Sequence, residues 1–473
     1  MNTARRITAN FLSLVTSELI SKVLQLAIFV YLARVFGKED FGIFSFAIAF
    51  SLIIVIIADF GFSTLLVREM SRNKKLASKY ISNAVYVKVL LSVLTIATAY
   101  FFLSAMGYRE ETKNVAYVML AFALLQSFTD LYYSVFRAFE KMHYDAIIKV
   151  LRMVILIAIV FYFVNNDYGL LASSFAFVLT EVIVLIITVF IVYCRFININ
   201  FEFDYDFSKN LLKDSSLFFL SLMFTNLFMF IDSIVISKMR AASELGIYAA
   251  SANIMLAMVF IPMVYANSIY PVISRFYLTS KKSLKFAYER SFKYMLIIGL
   301  PVSAGIFILS QNIILFLYGM EYASSSIVLS ILCWYLFLRF INIISGFTLT
   351  SINRQGSRVF GQGVGAFSSI ILNLILISLY GIKGAAIAAI VTEIILFFTY
   401  TAFIIRYGFG IDFIGTFIKP VTAVSLMLIT IFLIENTFIA IAIGFFVYLT
   451  SLLFFGIIDK EDKIILNKIL KNA

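Results

Sequence analysis

Long apolar runs, separated by short charged links, make up almost the whole of this chain. Between residues 10 and 458 each run holds roughly 20 to 30 residues, and a helix needs about 20 residues to cross a hydrocarbon core of about 30 Å. The runs are too long for barrel strands and lack strict alternation, and lipid offers no partner to an open sheet edge. The pattern predicts an all-α polytopic membrane protein.

About fourteen transmembrane helices fit the runs, each with ends uncertain by a few residues. An even number places both ends of the chain on the same side of the membrane. The predicted spans lie at about 9–34, 40–68, 81–105, 113–138, 145–165, 169–193, 210–239, 244–273, 287–310, 322–350, 356–379, 383–405, 414–434 and 436–458.

The positions of lysine and arginine indicate which ends of the spans face the cytoplasm. Of these 38 residues, 28 lie in or beside links at one set of alternating ends, and positively charged links stay on the cytoplasmic side. We therefore expect a cell inner (plasma) membrane protein with both termini in the cytoplasm. The net charge of +12 follows from this bias and from attraction to anionic membrane lipids, so nucleic acid is not an expected partner.

Two internal matches divide the chain into similar halves. The segment EDFGIFS at 39–45 reappears as SELGIYA at 243–249. The pattern at 168–181, Tyr-Gly followed eleven residues later by Thr-Glu, recurs 212 residues further on, and the same offset relates Asp130 to Asn342. Repeats of this kind often locate the substrate path of a transporter.

The predicted domains follow from this repeat. An N-lobe at 1–200 holds spans 1–6 and a C-lobe at 205–405 holds spans 7–12; residues 410–460 add spans 13 and 14, and 459–473 form a cytoplasmic tail. Two parallel six-helix lobes enclose a cavity, and rocking of one lobe against the other gives alternating access. A moving carrier is therefore favoured over a rigid pore.

Three motifs in the first 75 residues carry a family resemblance: YLARVFGKEDFGIF at 31–44, ADFGF at 58–62 and VRE at 67–69. Together with the span pattern they resemble the polysaccharide transporter family, the Wzx-type O-antigen and repeat-unit flippases of the multidrug/oligosaccharidyl-lipid/polysaccharide exporter superfamily. The resemblance implies two six-helix lobes around a cavity and movement of an undecaprenyl-pyrophosphate-linked oligosaccharide to the outer leaflet. Fourteen spans match the lipid II flippase relatives, whereas many Wzx proteins have twelve, so the subfamily stays open.

Basic residues at membrane depth are candidates for substrate binding, because a charge there is costly unless it faces a cavity or a partner. A pyrophosphate group needs cations, and arginine can hold phosphate oxygens through two parallel hydrogen bonds. The candidates are Lys22, Lys88, Arg152, Arg290 and Arg339. For Arg152 and Arg290, near the predicted cytoplasmic mouths of spans 5 and 9, snorkelling to the headgroups is the alternative.

Acidic residues in the spans are candidates for proton or sodium coupling, because burial can favour the protonated form of a carboxyl group. They are Glu18, Glu181 and Glu393, the last two equivalent in the repeat. Interhelical hydrogen bonding within each lobe is the alternative for Glu181 and Glu393. Asp59 and Lys88 lie at similar depths on consecutive spans and are first interpreted as a structural ion pair.

The preferred hypothesis is a flippase for a lipid-linked oligosaccharide in the biosynthesis of O-antigen, capsule or exopolysaccharide. A cation-coupled multidrug antiporter of the same superfamily and a lipid II flippase are the alternatives. A membrane enzyme is not expected, since the chain has one histidine, no Walker motif and short external links, and we expect no cofactor and no metal site. Polysaccharide polymerase and chain-length proteins are candidate partners.

Overall fold

Helices account for all regular structure in the described part of the chain. A computed structural model describes residues 3–198, 202–410, 413–434, 436–457, 459 and 462, with side chains from residue 15 onward except at 413, 414, 437 and 438. Within these residues there are two 3₁₀ turns, at Lys74–Leu76 and Met320–Tyr322, and no strand. The predicted tail at 459–473 lies outside the described residues except for Asp459 and Asp462.

The α-helices follow one another along the chain. They are α1 (Thr3–Ile54), α2 (Ile56–Asp59), α3 (Phe62–Arg72), α4 (Ala77–Ala105), α5 (Glu110–Ala138), α6 (Met142–Asn165), α7 (Gly169–Arg195), α8 (Tyr205–Met239), α9 (Ala242–Met258), α10 (Phe260–Thr279), α11 (Lys281–Tyr318), α12 (Ser325–Ser351), α13 (Gln355–Tyr380), α14 (Ile382–Arg406), α15 (Phe413–Phe432) and α16 (Thr437–Phe454).

The described helices confirm the prediction of an all-α multi-pass membrane protein. Within the described residues, twelve helical segments are long and apolar enough to cross a membrane. The first, Val15–Asp59, has 45 residues, about twice the length of one crossing. A shorter apolar helix lies at Ile439–Phe454. With Val15–Asp59 counted as two crossings, these segments correspond to the fourteen predicted spans.

Gly37 separates the first two crossings inside α1. Its backbone (φ 69°, ψ 178°) leaves the helical region, and only glycine adopts this conformation at low cost. A second break follows α2, where Phe60 and Gly61 both have positive φ (46° and 75°). Gly61 also lies against α8, because a Cβ atom there would stand 2.7 Å from Phe218 Cβ. This break ends α2 at Asp59.

Proline explains the division between α9 and α10. Pro262 lacks a backbone N–H, and its ring clashes with the carbonyl four residues earlier, which is that of Met258. The helix accordingly ends at Met258 and a new one begins at Phe260.

The chain forms two compact units. Unit 1 comprises Met1–Phe260 and Gln362–Ala385, and unit 2 comprises Ile261–Gly361 and Ala386–Ala473. Unit 1 therefore holds α1–α9, unit 2 holds α11, α12, α15, α16 and nearly all of α10, and α13 and α14 are each shared. The division into lobes at 1–200 and 205–405 stays a prediction.

In unit 1, α1 and α9 approach each other backbone to backbone. A Cβ atom on Gly42 would lie 1.9 Å from the carbonyl oxygen of Ala242, and one on Gly246 would lie 1.9 Å from that of Lys38. Gly42 and Gly246 hold the same position in the repeated segment, so the contact is reciprocal. Small residues permit this close approach of two membrane helices.

We expect Gly42→Ala to destabilise the protein, because the new methyl group would overlap the backbone of α9 and overpacking costs about 1–3 kcal/mol. Thermal unfolding in detergent, followed by circular dichroism, should show a lower midpoint. Gly305→Ala in α11 is the matched control, since a Cβ atom there meets nothing within 4 Å and alanine favours a helix. Equal midpoints for the two variants would contradict the close contact.

Candidate functional site

Asp59 and Lys88, the two residues predicted to pair, lie side by side in unit 1. Lys88 Nζ is 3.2 Å from Asp59 Oδ1, with the lysine side chain fully buried and 22% of the aspartate side chain exposed. Lys88 Nζ also lies 5.5 Å from the centre of the Phe128 ring. A buried charge needs an opposite charge nearby, and the helix break after Asp59 leaves that carboxylate in contact with α4. The geometry suits a structural role for Lys88.

Ion pairs connect α1, α5 and α6 in the same unit. Lys149 Nζ lies 3.2 Å from Glu18 Oε2 and 3.3 Å from Asp145 Oδ1. Arg137 Nε donates to Asp145 Oδ2 over 2.9 Å. Asp145 is fully buried and depends on these two cations. The structure thus gives Glu18 a partner on another helix, although Lys22 stands one turn away on its own helix.

A small pocket lies beside these ion pairs in unit 1. Gln25, Phe29, Arg152 and Glu181 belong to its wall. Lys22 Nζ donates to Gln25 Oε1 over 3.3 Å. Three predicted site residues therefore lie in or next to this pocket: Lys22 on α1, Arg152 on α6 and Glu181 on α7.

Glu181 is the least well bonded carboxylate of this group. Its side chain is fully buried, and Arg152 Nη1 stands 3.6 Å from Oε2. Neither carboxylate oxygen accepts a hydrogen bond from the residues that the structure describes. Thr129 lies beside Glu181 but donates to the Leu125 carbonyl of its own helix. Gln126, with its amide oxygen turned toward Arg152, accepts from Nη1 (3.0 Å) and Nη2 (3.2 Å).

Glu393, the repeat equivalent of Glu181, lies in unit 2 and is well bonded. Arg339 Nη1 donates to Glu393 Oε1 over 3.2 Å. Asn342 Nδ2 donates to Glu393 Oε2 (2.5 Å) and to the Glu393 carbonyl oxygen (2.8 Å). Arg339 and Asn342 are three residues apart on α12, so both side chains reach the same face of α14.

Arg358 joins this cluster, which sequence reasoning misses because the residue stands in a charged link at the start of α13. Its Nη1 donates to Thr350 Oγ1 over 3.0 Å, and its guanidinium carbon lies 5.0 Å from the centre of the Phe347 ring. Arg339 and Tyr400 are its electrostatic neighbours. The described side chains bring no carboxylate into ion-pair distance of Arg358. The internal repeat could not have pointed to Arg358, since the equivalent position in the first half does not hold a basic residue.

Arg290 lies near the start of α11 in a clamp with the segment after α16. Its Nη1 pairs with Asp459 and lies 2.9 Å from Asp462 Oδ1. Lys293 Nζ lies 3.2 Å from Asp459 Oδ2 and 2.6 Å from Asp462 Oδ2, and the Tyr294 hydroxyl donates to Asp462 Oδ1 over 2.8 Å. The clamp ties this segment to α11 and matches Arg290 and Lys293 with two carboxylates.

Comparison with known proteins agrees with this fold. A family model described as "Polysaccharide biosynthesis protein" matches residues 7–277. The chain is similar to a probable low-salt glycan biosynthesis flippase, Agl15, of Haloferax volcanii, with 23% identity over 365 residues that cover 76% of this chain and 75% of the relative.

Solved structures share the fold, and two of them serve as examples. The lipid II flippase MurJ in an inward closed conformation has a TM-score of 0.80 at 19% identity, covering 93% of this chain and 98% of that one. An inward-facing multidrug resistance transporter of the MATE family has a TM-score of 0.67 at 17% identity, covering 82% and 95%. At these identities the likeness shows the fold alone.

We expect Asp59→Ala to lower the free energy of unfolding by about 3–5 kcal/mol, because it leaves Lys88 buried without a counter-charge. Thermal unfolding in detergent measures the change. The double variant Asp59→Leu/Lys88→Met should recover most of it, since apolar residues can replace a buried pair. Glu110→Ala is the control, because Glu110 is 81% exposed and its pair with Lys113 adds little. A loss no larger than that of the control would contradict the buried pair.

The clamp after α16 should persist at mildly acidic pH. Burial acts to raise the pKa of Asp459, but the backbone N–H of Asp462 and the hydrogen bonds from Arg290 and Lys293 outweigh it and hold the pKa well below its usual range. A depressed aspartate pKa gives stability that is complete above the unfolded value of about 3.9 and is lost only as pH falls through the lower folded value.

Hydrogen-exchange protection of the segment around Asp459 should therefore be the same at about pH 8 and about pH 5, after correction for intrinsic exchange rates. Asp459→Asn/Asp462→Asn should lose protection at both values. Loss of protection in the native protein between these values would show that the clamp does not hold the segment.

Proposed function

Because this chain belongs to the polysaccharide biosynthesis protein family, we propose that it is a flippase. Its substrate would be a polyprenyl-pyrophosphate-linked oligosaccharide, moved from the cytoplasmic to the outer leaflet for the biosynthesis of a cell-surface polysaccharide. Support comes from the family match and from similarity to the flippase of Haloferax volcanii over three quarters of the chain. The same proposal places the protein in the plasma membrane with both termini in the cytoplasm.

Excess positive charge within unit 2 is the observation that carries the proposal. Arg339 and Arg358 are electrostatic neighbours; Glu393 pairs with Arg339, and the described side chains bring no carboxylate into ion-pair distance of Arg358. A cation at membrane depth is unfavourable unless an anion joins it. A pyrophosphate group supplies that anion, and two arginines can bind it through parallel, charge-assisted hydrogen bonds.

The positions of the two arginines suggest an order of contact. Arg358 bonds to Thr350 near the predicted cytoplasmic end of α12, and Arg339 lies about 16 Å further along that helix. The headgroup meets Arg358 first and passes to Arg339, while the prenyl chain stays in lipid. Lys22 and Arg152 are the corresponding binding residues of unit 1.

Transport then requires that the binding residues face each side of the membrane in turn. Rocking of the two predicted lobes provides this alternating access. Glu18, Glu181 and Glu393 are the proposed carboxylates for coupling to a proton or sodium gradient. Arg290 is held by the clamp, so it contributes to binding only when the segment after α16 is released.

We expect Arg358→Ala to slow the flipping of a labelled undecaprenyl-pyrophosphate oligosaccharide in proteoliposomes. The initial rate should fall about tenfold or more, because a hydrogen bond to a charged group is worth about 1.5–3 kcal/mol. Arg358→Lys should be intermediate, since lysine keeps the charge but not the planar fork. Lys281→Ala, at an exposed position of α11, is the matched control and should transport at the native rate.

Equal rates for Arg358→Ala and Lys281→Ala, at equal incorporation, would remove Arg358 from the substrate path. Failure of the native protein to move any lipid-linked sugar, together with ion-dependent efflux of an organic cation, would assign the chain to the antiporters instead.

A further inference from the structure

Tyr400 on α14 carries a hydroxyl group that the packing of unit 2 leaves unused. The residue is 5% exposed, and within the described part of the chain its hydroxyl makes no hydrogen bond. A buried phenol hydroxyl usually has a hydrogen-bond partner. Tyr400 is therefore a buried donor without an acceptor among the described residues.

The Tyr400 side chain meets that of Arg358 over Gly346 on α12. A Cβ atom on Gly346 would lie 3.6 Å from Arg358 Nε, 3.6 Å from Tyr400 Cε2 and 3.8 Å from Tyr400 Cζ, the carbon that carries the hydroxyl. Both side chains thus stand within 4 Å of one point on the surface of α12. Arg339 projects from the same face of this helix about two turns away.

Gly361 on α13 makes room for the Tyr400 ring. A Cβ atom on this glycine would lie 2.4 Å from Tyr400 Cε1 and 3.0 Å from Cδ1, which is closer than non-bonded carbon atoms can stand. Gly361 follows Arg358 by three residues, so the two lie on one face of α13. A side chain at position 361 would push the tyrosine ring away from Arg358.

Arg358 lies along α12 with most of its donors available. Its Nη1 donates to Thr350 Oγ1 over 3.0 Å, and the guanidinium carbon is 5.0 Å from the centre of the Phe347 ring. The described residues accept no hydrogen bond from its Nε or Nη2. An arginine presents five N–H donors in a fixed fork, and Tyr400 adds a neutral O–H donor beside it. Such a set of donors suits an anion that has several acceptor oxygens.

The first half of the chain lacks this arrangement. At the offset of 212 residues, Gly361 corresponds to Lys149 and Tyr400 corresponds to Thr188. Lys149 forms an ion pair, and Thr188 donates to the Val184 carbonyl of its own helix. The helices α6 and α7 therefore form without a glycine–tyrosine contact, which is a feature of the second half alone.

We propose that the Tyr400 hydroxyl is a further donor to a diphosphate group bound at Arg358, and that Gly361 admits the ring that carries it. A diphosphate presents more acceptor oxygens than one arginine fork can fill, whereas a carboxylate presents two, which the fork fills. Tyr400 thus favours diphosphate over carboxylate ligands. That the diphosphate belongs to a lipid-linked sugar rests on the proposed flippase function, whereas the anion site does not.

Inorganic pyrophosphate tests the site without the lipid. Isothermal titration calorimetry of the full chain in phosphatidylcholine nanodiscs measures its affinity. Tyr400→Phe keeps the ring and removes only the hydroxyl, so it should bind pyrophosphate about tenfold more weakly, as expected for one hydrogen bond to a charged group. Its affinity for succinate, a dicarboxylate, should stay at the native value.

Gly361→Ala should weaken pyrophosphate binding by a similar factor, because the new methyl group overlaps the Tyr400 ring. Gly356→Ala is the matched control on the same helix, since a Cβ atom there meets nothing within 4 Å, and it should bind as the native protein does. The double variant Gly361→Ala/Tyr400→Phe should bind no more weakly than Tyr400→Phe, because both changes remove the same donor.

Absence of pyrophosphate binding by the native protein would overturn the proposal, as would equal affinities of the native protein and Tyr400→Phe. Equal losses for pyrophosphate and succinate would show that the hydroxyl does not select the ligand. Losses that add up in the double variant would remove Gly361 from the site. Thermal unfolding midpoints of the single variants show whether each one is folded.

Transport in proteoliposomes identifies the source of the diphosphate. Tyr400→Phe should flip a labelled undecaprenyl-pyrophosphate oligosaccharide about tenfold more slowly than Gly356→Ala at low substrate concentration. If pyrophosphate binds as expected but no lipid-linked sugar is moved, the proposed function fails and the anion site survives with a free diphosphate as its ligand. If the sugar is moved at equal rates by both variants, the flippase survives and Tyr400 is not on its substrate path.

Discussion

Inside a bilayer no water is available to complete a polar group, and this single constraint shapes the molecule from backbone to side chains. The backbone satisfies itself in helices. Ionisable side chains satisfy one another across helices, as Lys88 does with Asp59 and Lys149 with Glu18. Breaks in the helices also help to pair charges. The left-handed turn at Phe60 and Gly61 ends α2 at Asp59, where α2 contacts α4. The charges are therefore structural elements first, and any functional role must be built on their pairing.

The same constraint decides which parts of the fold and of the site can be predicted from the sequence. Run length and the lack of strict alternation predict the helices, because a chain in lipid can satisfy its backbone only in helices or in a closed barrel. The internal offset predicts that Glu181 and Glu393 are equivalent positions, yet it cannot give their partners, since Arg152 comes from α6 and Arg339 from α12. Ion pairs form between helices distant in sequence, and that arrangement is set by packing. Arg358 is an example. The sequence places it in a charged link, but in the structure its side chain bonds to Thr350 on α12.

Glu181 in unit 1 and Glu393 in unit 2 have different surroundings. In unit 2, Asn342 and Arg339 on α12 donate hydrogen bonds to Glu393 on α14, and these bonds hold the two helices together. In unit 1 neither oxygen of Glu181 accepts a hydrogen bond from the described residues and Arg152 stands 3.6 Å away, so the burial of this glutamate is costly unless a ligand joins it.

The contact between Gly42 and Gly246 has a mechanical meaning. Each glycine packs against the residue four positions before its counterpart in the other repeat, so a local two-fold axis runs between them. Every other residue type would place a side chain at the point where Gly42 meets Ala242 or where Gly246 meets Lys38. The two glycines therefore fix the register of α1 against α9, because sliding either helix would bring a residue with a side chain to a contact that has room only for glycine.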